Sequence, residues 1–245
     1  MISHELYNDG FRRWVYFGRD PNRPDTLIDT NQYLVTHNKE GLLLDPGGVE
    51  TFPSVVSTLS REIDVTQVKK IFASHQDPDI ISSLSLWLGL IPEVEVFVPW
   101  VWSTFIPHFG GGRALTSIPD EGMMMALGGS ENLRLIPAHY LHSSGNFSVY
   151  DPMARILFSG DIGAALLPRD YKDIFVNNFE KHVQYMTGFH RRWMPSNRAK
   201  SRWISQVREL KIDMLCPQHG AIFRDDDVKR FLDWFDELEV ESANK

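Results

Sequence analysis

The pattern of apolar positions predicts a strand hairpin early in the chain. Residues 26–44 contain two apolar runs on either side of a polar segment with a glycine at residues 37–41. The second run ends with three consecutive leucines at residues 42–44, which is typical of a buried strand. The turn sequence DPGG follows at once at residues 45–48. We therefore expect a buried hairpin that ends at Asp45.

Helical and strand patterns alternate over the rest of the chain. Apolar positions with helical spacing predict helices over residues 53–63, 80–90, 171–186, 198–210 and 226–238. Short apolar runs predict strands within residues 65–73, 94–98, 133–136, 147–150, 155–158 and 212–216. Because helices alternate with strands while hairpins also occur, we predict the α/β class. The expected architecture is two packed sheets with helices outside them, an αββα sandwich.

The composition is that of an ordinary globular protein. Apolar residues make up 42% of the 245 residues and charged residues 23%, and a chain of this length can bury a full core. The net charge of −7 argues against a general affinity for nucleic acid. The longest apolar stretch, residues 80–91, is interrupted by serines and too short to span a membrane. The N-terminus lacks the pattern of a secretory signal, so we expect one cytoplasmic domain, residues 1–245, without membrane contact.

Cysteine usage restricts the metal chemistry that the chain can support. Cys216 is the only cysteine, so a disulfide within one chain and thiolate metal clusters are both excluded. Any bound metal must therefore use histidine, aspartate or glutamate side chains. Cys216 lies in an apolar predicted strand, and we expect it in the core.

Four short segments place candidate metal ligands next to predicted strands. The candidates are His75, Asp77, Asp79, His142, Asp161 and His219. Because the loops that follow strands gather at a sheet edge, these side chains can meet in space. Imidazoles and carboxylates form a hard, oxygen-rich ligand set, which suits iron or manganese better than the thiolate-rich sites that are typical of zinc.

The order and spacing of these segments resemble those of the metallo-β-lactamase superfamily. The matching segments are residues 75–79 (HQDPD), 141–146 (LHSSGN), 158–161 (FSGD) and 217–220 (PQHG), supported by residues 31–34 (NQYL). The resemblance covers nearly the whole chain. Within the superfamily the chain looks most like the di-iron branch, which comprises the flavodiiron proteins and oxygen-binding di-iron proteins without a flavodoxin domain.

The resemblance implies a role for each candidate ligand. His75, Asp77 and His142 would hold the first metal. Asp79 and His219 would hold the second metal. Asp161 would bridge the two, and such paired metals lie roughly 3.5–4 Å apart. The expected cofactor is two iron ions, with manganese and zinc as alternatives.

Two departures from related patterns affect the expected chemistry. The zinc hydrolases of the superfamily usually have His-x-His-x-Asp-His, whereas here Asp77 replaces the second histidine and Ile80 the last. Ile80 cannot bind a metal, so the second metal would keep an open position for an exogenous ligand. The flavodiiron pattern usually has glutamate at the position of Asp77, and aspartate is shorter by one methylene.

The resemblance implies a sensor more readily than an enzyme. The expected function is binding of O2 or a related small oxidant, with a signalling partner that could belong to a chemotaxis system. An oxidoreductase that reduces O2, peroxide or NO with an external redox partner is the first alternative, and a metal-dependent hydrolase is the second. Flavodiiron relatives form head-to-tail dimers, so we expect a homodimer.

Some histidines leave a second interpretation open. His139 could bind the first metal instead of His142, although the superfamily pattern favours His142. The segment at residues 75–79 could instead cap a helix, because aspartate suits an N-cap. We expect four other histidines to be solvated or to cap helices. These are His4, His37, His108 and His190.

Residues 97–112 carry an aromatic run and a glycine run. The aromatic residues could line the site, form a dimer interface or pack in the core; they are Phe97, Trp100, Trp102, Phe105 and Phe109. The glycines at residues 110–112 lack the lysine and hydroxyl residue of a phosphate-binding loop. We therefore predict a flexible loop there.

Overall fold

The structure is a computed structural model that describes residues 1–110, 115–128 and 132–241. The strands are β1 (Ile2–Asn8), β2 (Arg12–Gly18), β3 (Gln32–His37), β4 (Glu40–Leu44), β5 (Val68–Phe72), β6 (Glu95–Pro99), β7 (Thr116–Ile118), β8 (Met123–Met125), β9 (Leu133–Pro137), β10 (Phe147–Asp151), β11 (Ile156–Gly160), β12 (Met214–Pro217) and β13 (Phe223–Arg224). The helices are α1 (Phe52–Leu59), α2 (Pro78–Ile81), α3 (Leu84–Leu90), α4 (Phe179–Trp193), α5 (Asn197–Val207) and α6 (Asp226–Glu237). Short 3₁₀ turns occupy Val65–Gln67, Trp100–Trp102 and Ile106–Phe109.

The strands form two sheets. The first sheet has the order β1-β2-β3-β4-β5-β6-β7, and the second has the order β13-β12-β11-β10-β9-β8. In the first sheet, pairing is antiparallel from β1 to β4 and parallel from β4 to β7. In the second sheet, β11 and β12 pair in parallel, and the other pairs are antiparallel.

Three clusters of buried side chains lie between the layers of the fold and hold them together. Between the two sheets, Trp14, Tyr33 and Phe72 pack against Phe147 and Phe158. A second cluster joins the first sheet to α1, α2 and α3. A third joins the second sheet to α4, α5 and α6. Helices, two sheets and helices therefore follow one another, and the predicted αββα sandwich is confirmed.

The predicted hairpin is present as β3 and β4, but two other predictions need correction. The helix predicted over residues 171–186 begins at Phe179, because the Asn178 side chain accepts a hydrogen bond from the Lys181 amide at 2.9 Å and caps the helix there. The helix predicted over residues 80–90 is interrupted between α2 and α3. At the interruption, the Ser83 hydroxyl donates to the Gly47 carbonyl oxygen at 2.6 Å.

The apolar pattern does not predict the two N-terminal strands. In β2 nearly every side chain is buried, so the alternation that marks a half-exposed strand is lost. β1 lies at the edge of the first sheet and is mostly exposed. The loop predicted at residues 110–112 lies outside the described residues beyond Gly110.

The described helices are short. The longest of them, α4, has 15 residues. None of the helices in the described ranges combines the length and the hydrophobicity that a membrane-spanning segment needs.

The two sheets bring the four ligand segments to one edge of the sandwich. His75 follows β5, and Asp161 follows β11 directly. His219 follows β12, while His142 lies in the loop between β9 and β10. A hydrogen bond joins the segment before His75 to the start of β10 across the sandwich. In it, the Phe147 amide donates to the Ser74 carbonyl oxygen at 3.2 Å.

Candidate metal centre

One group of ligand atoms gathers around His75 and His142. The Nε2 atoms of these two histidines lie 3.1 Å apart. Asp77 Oδ2 lies 3.6 Å from His75 Nε2 and 3.4 Å from His142 Nε2. Asp161 Oδ2 lies 2.6 Å from His142 Nε2 and 3.5 Å from His75 Nε2. Ligand atoms of all four residues lie within 4.8 Å of one another, a spacing that could hold one metal ion.

A second, smaller group forms around His219. Its Nε2 atom lies 3.3 Å from Asp79 Oδ2 and 3.6 Å from Asp161 Oδ1. Asp161 therefore turns one oxygen to each group. This is the orientation that a bridging carboxylate needs. The structure brings together all six side chains that the sequence predicts as ligands.

Two hydrogen bonds orient imidazole rings so that Nε2 faces the site. The Ser74 hydroxyl donates to Asp45 Oδ2 at 2.7 Å, so it accepts from His75 Nδ1 at 3.0 Å. His219 Nδ1 donates to the Asp29 carbonyl oxygen at 2.7 Å. With Nδ1 protonated, Nε2 of each ring is free to bind a metal.

Helix capping does not account for Asp77. The residue occupies the N-cap position of α2, but its side chain makes no capping hydrogen bond. Both of its oxygens are engaged elsewhere, with Oδ2 near the histidines and Oδ1 accepting from Gln76 Nε2 at 2.9 Å. Ile80 is 1% exposed and packs in the core.

The structure places the two candidate histidines of this segment in different surroundings. His139 Nε2 lies 2.8 Å from the carbonyl oxygen of Asp120, away from the other candidate ligands. His142 is the histidine that faces Asp77 and Asp161.

Opposite charges dominate the electrostatics of the site. Burial alone would lower the pKa of His75, but the charges and hydrogen bonds of Asp161 and Asp77 together outweigh burial and raise that pKa to about 10. Burial also opposes protonation of His219, but its hydrogen bond with Asp79 and the charges of Asp161 and Asp79 together raise its pKa to about 9. Burial would raise the pKa of Asp161 and Asp77, but the neighbouring histidines hold both below their ordinary value. Metal binding would displace protons from the imidazoles, because imidazole binds metals in its neutral form.

The residues fit a pair of hard divalent ions. Asp161 Oδ1 is buried and has no hydrogen-bond partner among the described residues. A buried polar atom without a partner is costly, and a cation shared with His219 would satisfy it. The close approach of His75 Nε2 and His142 Nε2 would likewise be stabilised by a cation bound to both. Three imidazoles and three carboxylates without thiolate suit iron or manganese.

One residue that lies beside the ligands was not predicted from the sequence. His190, which we expected to be solvated or capping, is fully buried in α4. Its Nε2 atom accepts a hydrogen bond from the Gly163 amide at 3.0 Å, next to the Asp161 loop, and burial lowers the pKa of His190 to about 4.

Two further expectations concern burial away from the ligands. His37, which we expected to be solvated or capping, is buried, at 8% exposure. The burial of Cys216 is confirmed.

Aromatic side chains of α4 cover one side of the site. The Phe189 ring lies 6.1 Å from the His142 ring and 6.3 Å from the His219 ring. Trp193 lies 5.5 Å from His142. The helical spacing of these residues could have indicated their common face, but not which loop they cover.

Comparisons with known proteins agree with the geometry. Residues 28–220 match the sequence model of a family described as ODP family beta lactamase. The apo state of chemotaxis sensor ODP from T. denticola is 40% identical with a TM-score of 0.89, over 99% of this chain and 97% of that one. The structure of the peroxy diiron species of chemotaxis sensor ODP is 39% identical with a TM-score of 0.88, over 100% of this chain and 98% of that one.

Longer proteins share the fold. A flavo di-iron protein from Thermotoga maritima matches 96% of this chain and 61% of its own, with a TM-score of 0.81 and 22% identity, which shows the fold alone. The anaerobic nitric oxide reductase flavorubredoxin of Aliivibrio salmonicida is 22% identical over 213 residues, which are 84% of this chain and 42% of the relative. The chain spans between 24% and 52% of the length of the curated relatives it matches.

Proposed function

Because the chain belongs to the ODP family of beta lactamases, we propose that it is a non-haem di-iron protein that binds O2 or a related small oxidant and acts as a sensor. The proposed ligands are His75, Asp77, Asp79, His142, Asp161 and His219. We propose that residues 1–245 form one domain. The chemotaxis sensor ODP supports this function because it aligns with the chain over nearly its full length, and one of its structures is of a peroxy diiron species.

The orientation of Asp161 carries the proposal. Its Oδ2 atom faces His142 and its Oδ1 atom faces His219, so one carboxylate serves both ligand groups. A single-metal site would leave one of these oxygens without a role. The buried Oδ1 atom, which has no hydrogen-bond partner among the described residues, supports a second metal.

The surrounding residues orient the ligands and cover His142. Two bound irons would supply the electrons that a small oxidant accepts. Ser74 and the Asp29 carbonyl oxygen fix two imidazoles, while Phe189 and Trp193 shield His142. The second group has one ligand fewer than the first. The core residue Ile80 stands at the sequence position where the zinc hydrolases have a further histidine ligand, and it cannot bind a metal. An exogenous ligand would therefore bind on the His219 side.

Metal content tests the proposal. Protein produced in iron-sufficient cells is expected to contain about two irons per chain, because the ligand set is hard and lacks thiolate. Elemental mass spectrometry measures the iron content, and visible spectra recorded without and then with air detect the reaction with oxygen. A chain with about two zincs under the same conditions would contradict the proposal and favour the hydrolase.

The oxidoreductase is the second candidate function. The flavorubredoxin relative, named as an anaerobic nitric oxide reductase, favours it. This match covers less than half of the relative, whereas the sensor ODP is covered almost completely. We therefore place the sensor first. The hydrolase is disfavoured by Asp77 and Ile80, which replace two histidines of the zinc pattern.

We further propose a signalling partner and a homodimer. A sensor must pass its state to another protein, and the similarity to a chemotaxis sensor leads us to propose a chemotaxis protein as the partner.

Exposed aromatic side chains support the proposed homodimer. Trp100 and Phe105 are both 59% exposed and could contribute to a dimer interface. Light scattering at micromolar concentration is expected to give about twice the chain mass of 28.2 kDa. A stable monomer would contradict this part of the proposal.

A further inference from the structure

Asp77 is held from two sides. Its Oδ2 atom faces His75 and His142, and its Oδ1 atom accepts a hydrogen bond from Gln76 Nε2 at 2.9 Å. The side chain of aspartate is short. The position of its metal-facing oxygen therefore depends on its backbone and on the hydrogen bond to its other oxygen. The Gln76 amide thus engages Oδ1, while Oδ2 faces the two histidines.

Gln76 is itself held by the other ligand loop. Its Oε1 atom accepts a hydrogen bond from the Ser143 hydroxyl at 2.7 Å. Ser143 is the residue after His142 and is buried. One glutamine side chain thus joins the two segments that provide His75, Asp77 and His142.

The hydrogen-bond chain continues to Trp102. Its indole Nε1 lies 3.1 Å from the Ser143 hydroxyl oxygen and donates to the Gly145 carbonyl oxygen at 2.8 Å. A Cβ atom on Gly145 would clash with Val101 Cγ1, so the loop that carries His142 packs directly on the 3₁₀ turn at Trp100–Trp102. The Trp102 ring lies 5.7 Å from Phe105, which is 59% exposed. The series of hydrogen bonds thus extends from the candidate metal site to an exposed aromatic surface.

Three donors of this hydrogen-bond series lead toward Asp77. The Trp102 indole N–H is shared between the Gly145 carbonyl oxygen at 2.8 Å and the Ser143 hydroxyl oxygen at 3.1 Å, Ser143 donates to Gln76, and Gln76 donates to the carboxylate. Hydrogen bonds in such a series polarise one another, so a change at the final acceptor alters the others. A metal held by Asp77 would withdraw negative charge from the carboxylate and would weaken Oδ1 as an acceptor.

We propose that Gln76 and Ser143 are positioning residues for Asp77, and that their hydrogen bonds couple metal binding at Asp77 to the indole of Trp102. This inference rests on the proposed function in one respect, which is that Asp77 binds a metal. These hydrogen bonds provide a route by which metal binding at Asp77 would alter the surface around Trp102.

The test uses Zn²⁺, which is diamagnetic and needs no oxygen. Metal-free protein is titrated calorimetrically, and the ¹⁵N–¹H signals of the indole groups are followed by NMR, with Trp102→Phe to assign the Trp102 signal. Gln76→Ala is expected to weaken the first site about 10- to 100-fold, the loss typical of residues that orient metal ligands. In the wild type the Trp102 signal is expected to shift on metal binding.

Ser143 variants separate the hydrogen bond from mere proximity to the metal. Ser143→Ala is expected to lose most of the Trp102 shift, whereas Ser143→Thr, which keeps the hydroxyl, retains it. Ser144→Ala is the matched control, because Ser144 is the exposed neighbour in the same loop. It is expected to change neither the affinity nor the shift. Ser143→Ala removes one oxygen atom only, so the test does not depend on Gln76→Ala folding.

The outcomes distinguish this inference from the proposed function. Wild-type affinity in Gln76→Ala would overturn the positioning role. A full Trp102 shift in Ser143→Ala would overturn the coupling. If the wild-type chain bound no metal at all, the proposed function would be wrong, and the inference would fall with it.

Discussion

Asp161→Ala is expected to lose both metals. The carboxylate faces His142 through Oδ2 and His219 through Oδ1, so the alanine removes one ligand from each group. Loss of a residue that merely orients a ligand weakens a metal site about 10- to 100-fold. Loss of a shared anionic ligand is expected to cost at least about 100-fold at each site, or about 2.7 kcal/mol.

Metal content after dialysis and calorimetric affinity measure this effect. Asp161→Asn keeps the side-chain volume, and its thermal unfolding reports whether the fold is intact. Asp170→Ala removes an exposed aspartate and serves as the control that should retain both metals. If only one metal left the Asp161→Ala variant, Asp161 would not be the bridge.

Slow oxygen consumption with a lasting colour is the second large effect that we expect. Full reduction of O2 to water takes four electrons, and two ferrous ions supply two. Steady turnover therefore depends on electrons from outside the site. Air is expected to turn the reduced, nearly colourless protein coloured through charge transfer to ferric iron, and the colour should last for minutes or longer. An oxygen electrode with NADH and a generic flavin reductase should record little consumption above that of the same mixture without the protein, since reduced flavin itself reacts with O2.

The outcome separates the sensor from the oxidoreductase. Sustained consumption at the roughly 1–10³ s⁻¹ typical of enzymes would favour the reductase and rule out the sensor. His219→Ala should abolish the lasting colour, because this imidazole belongs to the group with the open position. His108→Ala is the control, since His108 is exposed on a 3₁₀ turn. A colour that survived in His219→Ala would place the reaction at the other metal.

Much of the fold could be predicted from local patterns. The leucines at residues 42–44 and the DPGG turn indicate β4 and its end, and the apolar runs at residues 147–150 and 155–158 indicate β10 and β11. The edge strand β1 and the fully buried strand β2 lack a clear alternation, so the pattern fails there. The interruption between α2 and α3 depends on Ser83 reaching the Gly47 carbonyl oxygen, a contact that no local pattern reveals.

The proposed ligands could all be named from the sequence. Each of the four ligand segments is a short run with its own spacing, and imidazole and carboxylate chemistry restricts the metals that these residues can bind. The absence of other cysteines likewise excludes thiolate clusters without reference to the fold.

The orientation of these ligands depends on contacts between distant parts of the chain. The Asp29 carbonyl oxygen accepts from His219, Ser143 donates to Gln76, and His190 accepts from the Gly163 amide beside Asp161. The packing of the sheets also places His142, and not His139, beside Asp161. No local sequence pattern reveals these contacts, because a hydrogen bond needs its partners within about 3 Å, and residues far apart in the chain reach that distance only when the two sheets pack.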